Sequence, residues 1–351
     1  MFSRFPKWLF RAFLAFVALE LFYLLAVTIA LNTGLVERIV NRKPEKYQVH
    51  WDWAWSPWPG RTYLGGVETK GQTKKFQWYA AVDSVSTTYR ILPLFDKTVH
   101  LTGVRVKGVD YRQRRRLIPG APPDPTDAED PPIPGYSNPP DPPPESLYPK
   151  KIPKPPWTIQ IDRVEAQLMQ IWVDRYRITG GAECETAMKL VVREHLELPM
   201  VKLRSSTAEL WVGDEPRFQS VKLDIDVKIY PFVPKGTKGL ELLRKISGRI
   251  SIKTPDSGFA FVESHFRKVP WLEIDGRGPL LMTLNLDRGK FLPGTSFEID
   301  RDHIDVKFLD RHLVGNGFID GEISLEEGIP RSRVTVVMDE FHMTQVGASE
   351  P

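Results

Sequence analysis

Val221-Lys222-Leu223-Asp224-Ile225-Asp226-Val227-Lys228-Ile229 alternates apolar and charged side chains without a break. Successive side chains on a strand point to opposite faces, so this stretch describes a strand with one dry and one wet face. The texture recurs outward along the chain. Residues 280–286 carry Leu280, Met282, Leu284 and Leu286 in alternation. Ile319, Ile323 and Leu325 alternate with Asp320, Glu322 and Ser324, and shorter runs stand at 159–161, 188–192 and 334–338. Gly, Pro, Asp and Asn gather between these runs, as turns require. Helical spacing is confined to 240–246, a short amphipathic turn at 35–40, and one long apolar run near the start. The fold class is therefore mostly β: an antiparallel sheet with a few short helices.

The apolar run covers residues 12–31, with Glu20 and Tyr23 its only ionisable residues. At about 1.5 Å per residue it matches the roughly 30 Å hydrocarbon core of a bilayer. Arg4, Lys7 and Arg11 precede it. That asymmetry predicts a single-pass anchor with a cytoplasmic N-terminus, the bulk of the chain lying on the far side. A cleaved signal peptide, with Thr28 and Ala30 before the cut, is the competing reading, but the run exceeds the roughly 7–15 residues of a signal core. Glu20 stands mid-membrane, where a carboxylate costs a few kcal/mol unless neutralised or paired. It points to a helix partner in the bilayer, a protonated acid, or a tolerated defect.

Sixteen of the chain's 31 prolines lie in residues 119–156, among Asp124, Asp127, Glu129, Asp130, Asp141 and Glu145. Proline removes backbone donors and the acids repel, so this segment is expected to be a disordered insert between strands. The expected organisation is then 1–34 cytoplasmic terminus and anchor, 35–118 a first strand set, 119–156 the insert, 157–346 the main strand set, and 347–351 a tail.

Forty-eight basic and 44 acidic residues nearly balance, which does not suggest a nucleic-acid partner. Cys184 is the lone cysteine, so no intramolecular disulfide forms, and it reads as a buried small hydrophobe. The histidines are scattered, and none stands at zinc spacing. Asp300-Arg301-Asp302-His303-Ile304-Asp305 reads as a solvated strand rather than a metal site. No nucleophile motif or phosphate loop is present, so no enzyme and no cofactor is expected. The run Arg112-Gln113-Arg114-Arg115-Arg116 reads as a solvated strand end or a contact with lipid headgroups. Trp51, Trp53 and Trp55 alternate with Asp52 and Ala54, and Trp58 follows. On a continuous strand the three indoles share one face, as a core cap or as the lining of a lipid portal.

Three stretches together resemble the AsmA-like family, relatives of TamB and of the bridge-like lipid transfer proteins. The first is the anchor followed by Trp58-Pro59-Gly60-Arg61, Leu64-Gly65-Gly66-Val67, the strand at 78–89, Val99-His100-Leu101-Thr102-Gly103-Val104 and Val109-Asp110-Tyr111-Arg112. The second is Ile159-Gln160-Ile161-Asp162-Arg163-Val164 leading to Ile171-Trp172-Val173 and Tyr176-Arg177-Ile178-Thr179-Gly180. The third is Ile246-Ser247-Gly248-Arg249, Gly276-Arg277-Gly278-Pro279-Leu280 and Asp287-Arg288-Gly289-Lys290-Phe291, then Pro293-Gly294-Thr295. The proline insert and the short length depart from the family.

The resemblance implies an elongated, curved sheet shaped like a gutter, with an apolar concave face that holds acyl chains. Period two alone leaves gutter and sandwich open. The implied lining is Trp51, Trp53, Trp55, Val221, Leu223, Ile225, Val227, Ile229, Leu280, Met282, Leu284, Leu286, Ile319, Ile323 and Leu325. The implied partners are phospholipids and the inner membrane, with the bulk of the chain periplasmic and a role in lipid transport to the outer membrane. An envelope assembly factor that adds partner strands to its sheet edge is the alternative.

Overall fold

The computed structural model describes residues 7–116, 129–138, 140, 156–192, 194–233, 240–258 and 272–345. It is mostly β, with one long apolar N-terminal helix and few others. Helix α1 (Lys7–Asn32) is long and apolar enough to cross a membrane. Gly34, in the left-handed conformation, breaks it from α2 (Leu35–Val40), the short amphipathic turn expected there. Of the helical spacing at 240–246, one turn forms, α3 (Leu240–Leu243), because Ile246 already opens a strand.

The chain divides into two compact units. Unit 1 holds the helices α1 and α2 and the strands β1 (Tyr47–His50), β2 (Trp53–Trp58), β3 (Arg61–Gln72), β4 (Phe76–Arg90) and β5 (Thr98–Arg115), together with the first part of β6 (Thr158–Val173). Strands β1 and β2 both pair with β3, which pairs with β4, which pairs with β5, all antiparallel. Trp51, Ala54 and Val67 form its buried apolar cluster, with Leu31, Val36, Val49, Leu64, Val82 and Val85 packed around them. Leu64 and Val67 reach the same cluster from positions of opposite parity. Gly66 between them takes the left-handed conformation, with φ at 60°, which turns the strand over without shifting its register.

Unit 2 contains the rest of β6, β7 (Tyr176–Thr179), β8 (Ala182–Val191), β9 (His195–Val212), β10 (Glu215–Phe232), α3, β11 (Ile246–Gly258), β12 (Leu272–Asp287), β13 (Lys290–Phe291), β14 (Thr295–Phe308), β15 (Arg311–Glu326) and β16 (Ile329–Gln345). From β9 the order runs β9-β10-β11-β12-β14-β15-β16, each pair antiparallel. Register shifts at Thr254/Ser257, Arg277/Leu280, Arg301/Ile304 and Val314/Asn316 fall on successive ladders and line up across the sheet. Bulges bend strands and raise local twist, so this line is where the sheet of unit 2 curves. Pro279 lies at the bulge of β12, a position where a missing N–H costs no regular ladder bond.

The proline insert differs from its expectation. Within it, Pro131 and Ile133 are buried. In unit 1, Lys70 donates to the Pro134 carbonyl at 3.3 Å and stands over the Tyr136 ring. Residues 132–138 therefore pack on the sheet of unit 1. Apolar contact and side-chain donors reaching its carbonyls compensate for ladder bonds that proline cannot make. Residues 119–128, 139 and 141–155 of this stretch lie outside the described residues.

Candidate functional site

Directly opposed residues of an antiparallel pair share a face. In unit 2 that rule links the expected lining residues into one surface. Leu203, Ile225, Ile250 and Leu284 stand in one cross-strand row. Val201 and Val227 lead through Gly248 to Leu286. Leu223 leads through Ile252, Met282 and Phe297 to Gly321. Leu280 leads through Ile299 and Ile319 to Val336. Val221 and Ile229 flank these on β10, and Ile323 and Leu325 on β15. All twelve lining residues expected between positions 221 and 325 thus lie on one face.

That face is packed sideways but not sealed. Val221, Val227 and Leu286 are buried, whereas Leu223, Ile225, Ile229, Leu280, Met282, Leu284, Ile319 and Ile323 are half-buried and Leu325 is exposed. The opposite face is charged in alternating rows. Glu183, Arg204 and Asp224 form one row, and Glu185, Lys202, Asp226 and Arg249 another. Opposite charges across strands favour this register over a one-residue slip, which would exchange the two faces. A concavity of about 860 Å³ opens among these charged rows, lined by Glu183, Arg204, Lys222, Asp224, Arg249 and Lys253. Its acids and bases are interleaved, with Arg204 and Asp224 paired at 3.4 Å.

Sequence reading missed Leu203, Ile250, Ile252, Phe297, Ile299 and Ile304 on the apolar face. Alternation at Arg249-Ile250-Ser251-Ile252-Lys253 and at Phe297-Glu298-Ile299-Asp300 carries that signal. Ile304 breaks the parity of Ile299 because the bulge between Arg301 and Ile304 adds a residue. Cys184 opposes Leu203 and so belongs to the same face. Burial pushes its thiol above the ordinary pKa of a cysteine.

The three tryptophans of unit 1 do not share a face, contrary to expectation. Trp51 is buried, while Trp53 and Trp55 are half exposed. The strand is interrupted at Asp52, whose N–H donates to the Gly65 carbonyl, and the interruption reverses the alternation. The Trp51 indole instead donates to the Leu31 carbonyl at the end of α1. Trp55 stacks on Tyr63, and Arg61 lies over both the Trp58 and Tyr63 rings.

The arginine run is also placed otherwise than its charge suggests. Arg114 is fully buried. It donates to Gln77 Oε1 at 2.9 and 3.1 Å, to Asn138 Oδ1 at 3.1 Å, and to the Ser137 carbonyl. Arg116 is buried against Gln72, and Arg112 pairs with Asp110 at 2.7 Å. Residues 132–138 thus supply acceptors that hold two of these arginines, Arg112 and Arg114, in unit 1.

Among the described residues, no group of three or more His, Cys, Asp or Glu side chains converges as a metal site would. Glu20 lies on the half-buried stripe of α1 that also carries Tyr23. A scan against protein-family models finds no match, and a search of curated proteins finds no significant relative.

Proposed function

We propose that this protein is a single-pass inner-membrane protein whose periplasmic part binds phospholipid acyl chains on the apolar face of unit 2, as part of lipid transport to, or homeostasis of, the outer membrane. The observation that carries the reading is the register. Overlapping rows, mostly of Ile, Leu, Val, Met and Phe with Gly248 and Gly321 among them, together cover one face from β9 to β16, and most of these side chains are only half-buried. An acyl chain laid there removes apolar area from water at about 25 cal/mol per Å², without any covalent step. The long apolar helix and its basic N-terminal flank support the anchor and its orientation.

The test places a photo-crosslinking residue at position 225 or 226 in the full chain, expressed in membranes. Adjacent residues of a strand face opposite ways, so capture of phospholipid at 225 and not at 226 is expected. Equal capture at both positions, or none at 225, would refute the reading.

A second reading has its own observation. Strand β16 closes the described ladder and has a hydrogen-bonded neighbour on one side. Val334, Val336, Phe341 and Met343 are all exposed on it. Such an edge accepts a partner strand. Crosslinks from position 337 to another envelope protein, with no lipid at 225, would favour it.

A further inference from the structure

Helix α1 does not hang free of the sheet. Asn32 makes a two-point bond with the Ala54 backbone, donating to its carbonyl at 2.7 Å and accepting from its N–H at 2.9 Å. Nine residues earlier on the helix, the Tyr23 hydroxyl meets the Ser56 hydroxyl at 2.9 Å. Ala54 is thus level with Asn32, and the long Tyr23 side chain reaches up to Ser56. At about 3.3 Å per strand residue, Trp58 lies about 13 Å beyond Ala54, which matches the rise of the nine helical residues back to Tyr23. Strand β2 therefore runs back along the helix toward its N-terminal half. The half-buried stripe at Val17, Glu20, Leu24, Val27 and Leu31 follows helical spacing on this side, while Phe13, Phe16, Leu19, Phe22 and Leu25 are exposed.

This arrangement limits how far the sheet can stand from a membrane. The apolar helix spans Trp8–Asn32, and β2 lies beside its last ten residues. Residues 8–22 remain below Tyr23, about 22 Å of helix at 1.5 Å per residue. A bilayer's hydrocarbon core needs about 30 Å. A helix that crosses it must carry the end of β2 into the headgroup layer or below.

The side chains at that end suit such a place. Trp53, Trp55 and Trp58 are exposed on β2. The β2–β3 hairpin tip touches the end of β4, where the Tyr89 N–H donates to the Gly60 carbonyl at 2.8 Å. The chain then enters a 3-10 turn, Leu92–Asp96, in which Leu92 is 78% and Phe95 84% exposed. Exposed Trp157 follows on beside it, because the Thr158 N–H donates to the Lys97 carbonyl. Arg61, Arg90 and Lys97 stand among these apolar groups, with Asp96 as the acid in the turn. A soluble surface rarely gathers so many large apolar side chains at one end. Indoles and leucines at the acyl boundary, with arginine and lysine reaching phosphates, are the chemistry of an interfacial anchor.

We propose that this end of unit 1, formed by the 58–61 hairpin tip, the 91–97 turn and Trp157, is inserted into the interfacial layer of the phospholipid bilayer that α1 spans. The proposal rests on the anchoring part of the function above and is independent of acyl-chain binding by unit 2. It makes the membrane contact of this protein a helix plus a wedge of sheet, which fixes the height and tilt of unit 1 over the bilayer.

The experiment uses the full chain with Cys184→Ser, reconstituted in phospholipid vesicles containing a fraction of anionic lipid. A polarity-sensitive NBD dye is attached at Phe95→Cys or, at the opposite end of the sheet, at Lys75→Cys. Both positions are exposed, so neither change disturbs packing. The expected result is a blue-shifted, several-fold brighter emission from position 95 that nitroxide-labelled lipids quench, with neither effect at position 75. Carbonate extraction of the same vesicles reports the helix alone. Protein that resists extraction while position 95 stays as wet as position 75 overturns the wedge and leaves the anchor standing. Protein that carbonate extracts overturns both. A dye at 95 that is dry but unquenched by labelled lipid assigns this end to a protein contact, and overturns the proposal too.

Discussion

Gly66 and Gly108 solve the same local problem in the same way. Each is in the left-handed region, and each lies under a carboxylate from the adjacent strand or its approach, Asp52 over Gly66 and Asp83 over Gly108. A Cβ at either position meets that carboxylate and holds a backbone conformation that L-residues disfavour. Gly66→Ala and Gly108→Ala should each destabilise unit 1 by about 1–3 kcal/mol, read as a lower denaturant midpoint. Adding Asp52→Ala to Gly66→Ala should recover only the steric share, because the φ cost remains. A full recovery would mean that the backbone relaxes. Arg114 makes a different kind of residue-scale demand. Arg114→Leu strips a donor from Gln77 Oε1, Asn138 Oδ1 and the Ser137 carbonyl, and should cost about 2–4 kcal/mol. Arg114→Lys keeps the charge but not the fork that reaches Gln77 and residues 137–138 together, so it should fall between. A lysine variant as stable as the parent would show that charge alone holds this site.

Among the elements, the proline-bearing segment departs furthest from its composition. Read alone, 119–156 is a solvated link, and replacing 122–149 with a short Gly/Ser stretch looks harmless. The burial of Ile133 and the acceptors offered to Lys70, Arg112 and Arg114 reverse that expectation. The replacement should lower the melting temperature of unit 1 by several degrees, and Ile133→Asp alone should do much of the same. An unchanged melting profile for both would show that the segment contributes no stability. The reason the sequence hides this is physical. Composition reports whether a segment can fold on itself, not whether a neighbouring sheet offers it a surface. The arginine run misleads likewise, since its burial depends on partners more than twenty residues away. By contrast, the strand at 221–229 was legible in full. Asp224 faces Arg204 and Asp226 faces Lys202 and Arg249, so local alternation and long-range register agree there. Trp51 and Ile304 were legible only in type. An interruption at Asp52 and a bulge before Ile304 each reverse parity, and neither leaves a period that a sequence shows.

At the scale of the whole molecule, one question decides how the apolar surface works: whether it is a core or a site. The sequence supplies the surface but not what covers it. In unit 2, Ile225 is central to that surface, flanked by Leu203 and Ile250, yet it is only half-buried. A carboxylate introduced there should remain hydrated while the face is empty, because water reaches the position. In a sealed core the same group would be desolvated at a cost of several kcal/mol, or be forced to protonate. Ile225→Asp in the full chain should therefore fold with a melting temperature within a few degrees of the parent, while losing lipid from the purified protein. Asp226→Ile is the control on the charged face. It breaks the row with Lys202 and Arg249 but should leave lipid content intact. The native thiol gives a second readout that needs no substitution. Cys184 lies in the row of Ile225, and its burial-raised pKa already slows reaction with aqueous maleimide near neutral pH. Bound lipid should slow it further, and Ile225→Asp should restore the rate of the delipidated protein. Unfolding of Ile225→Asp under conditions where Asp226→Ile is folded, with Cys184 reacting at one rate with and without lipid, would assign the face to a closed core instead.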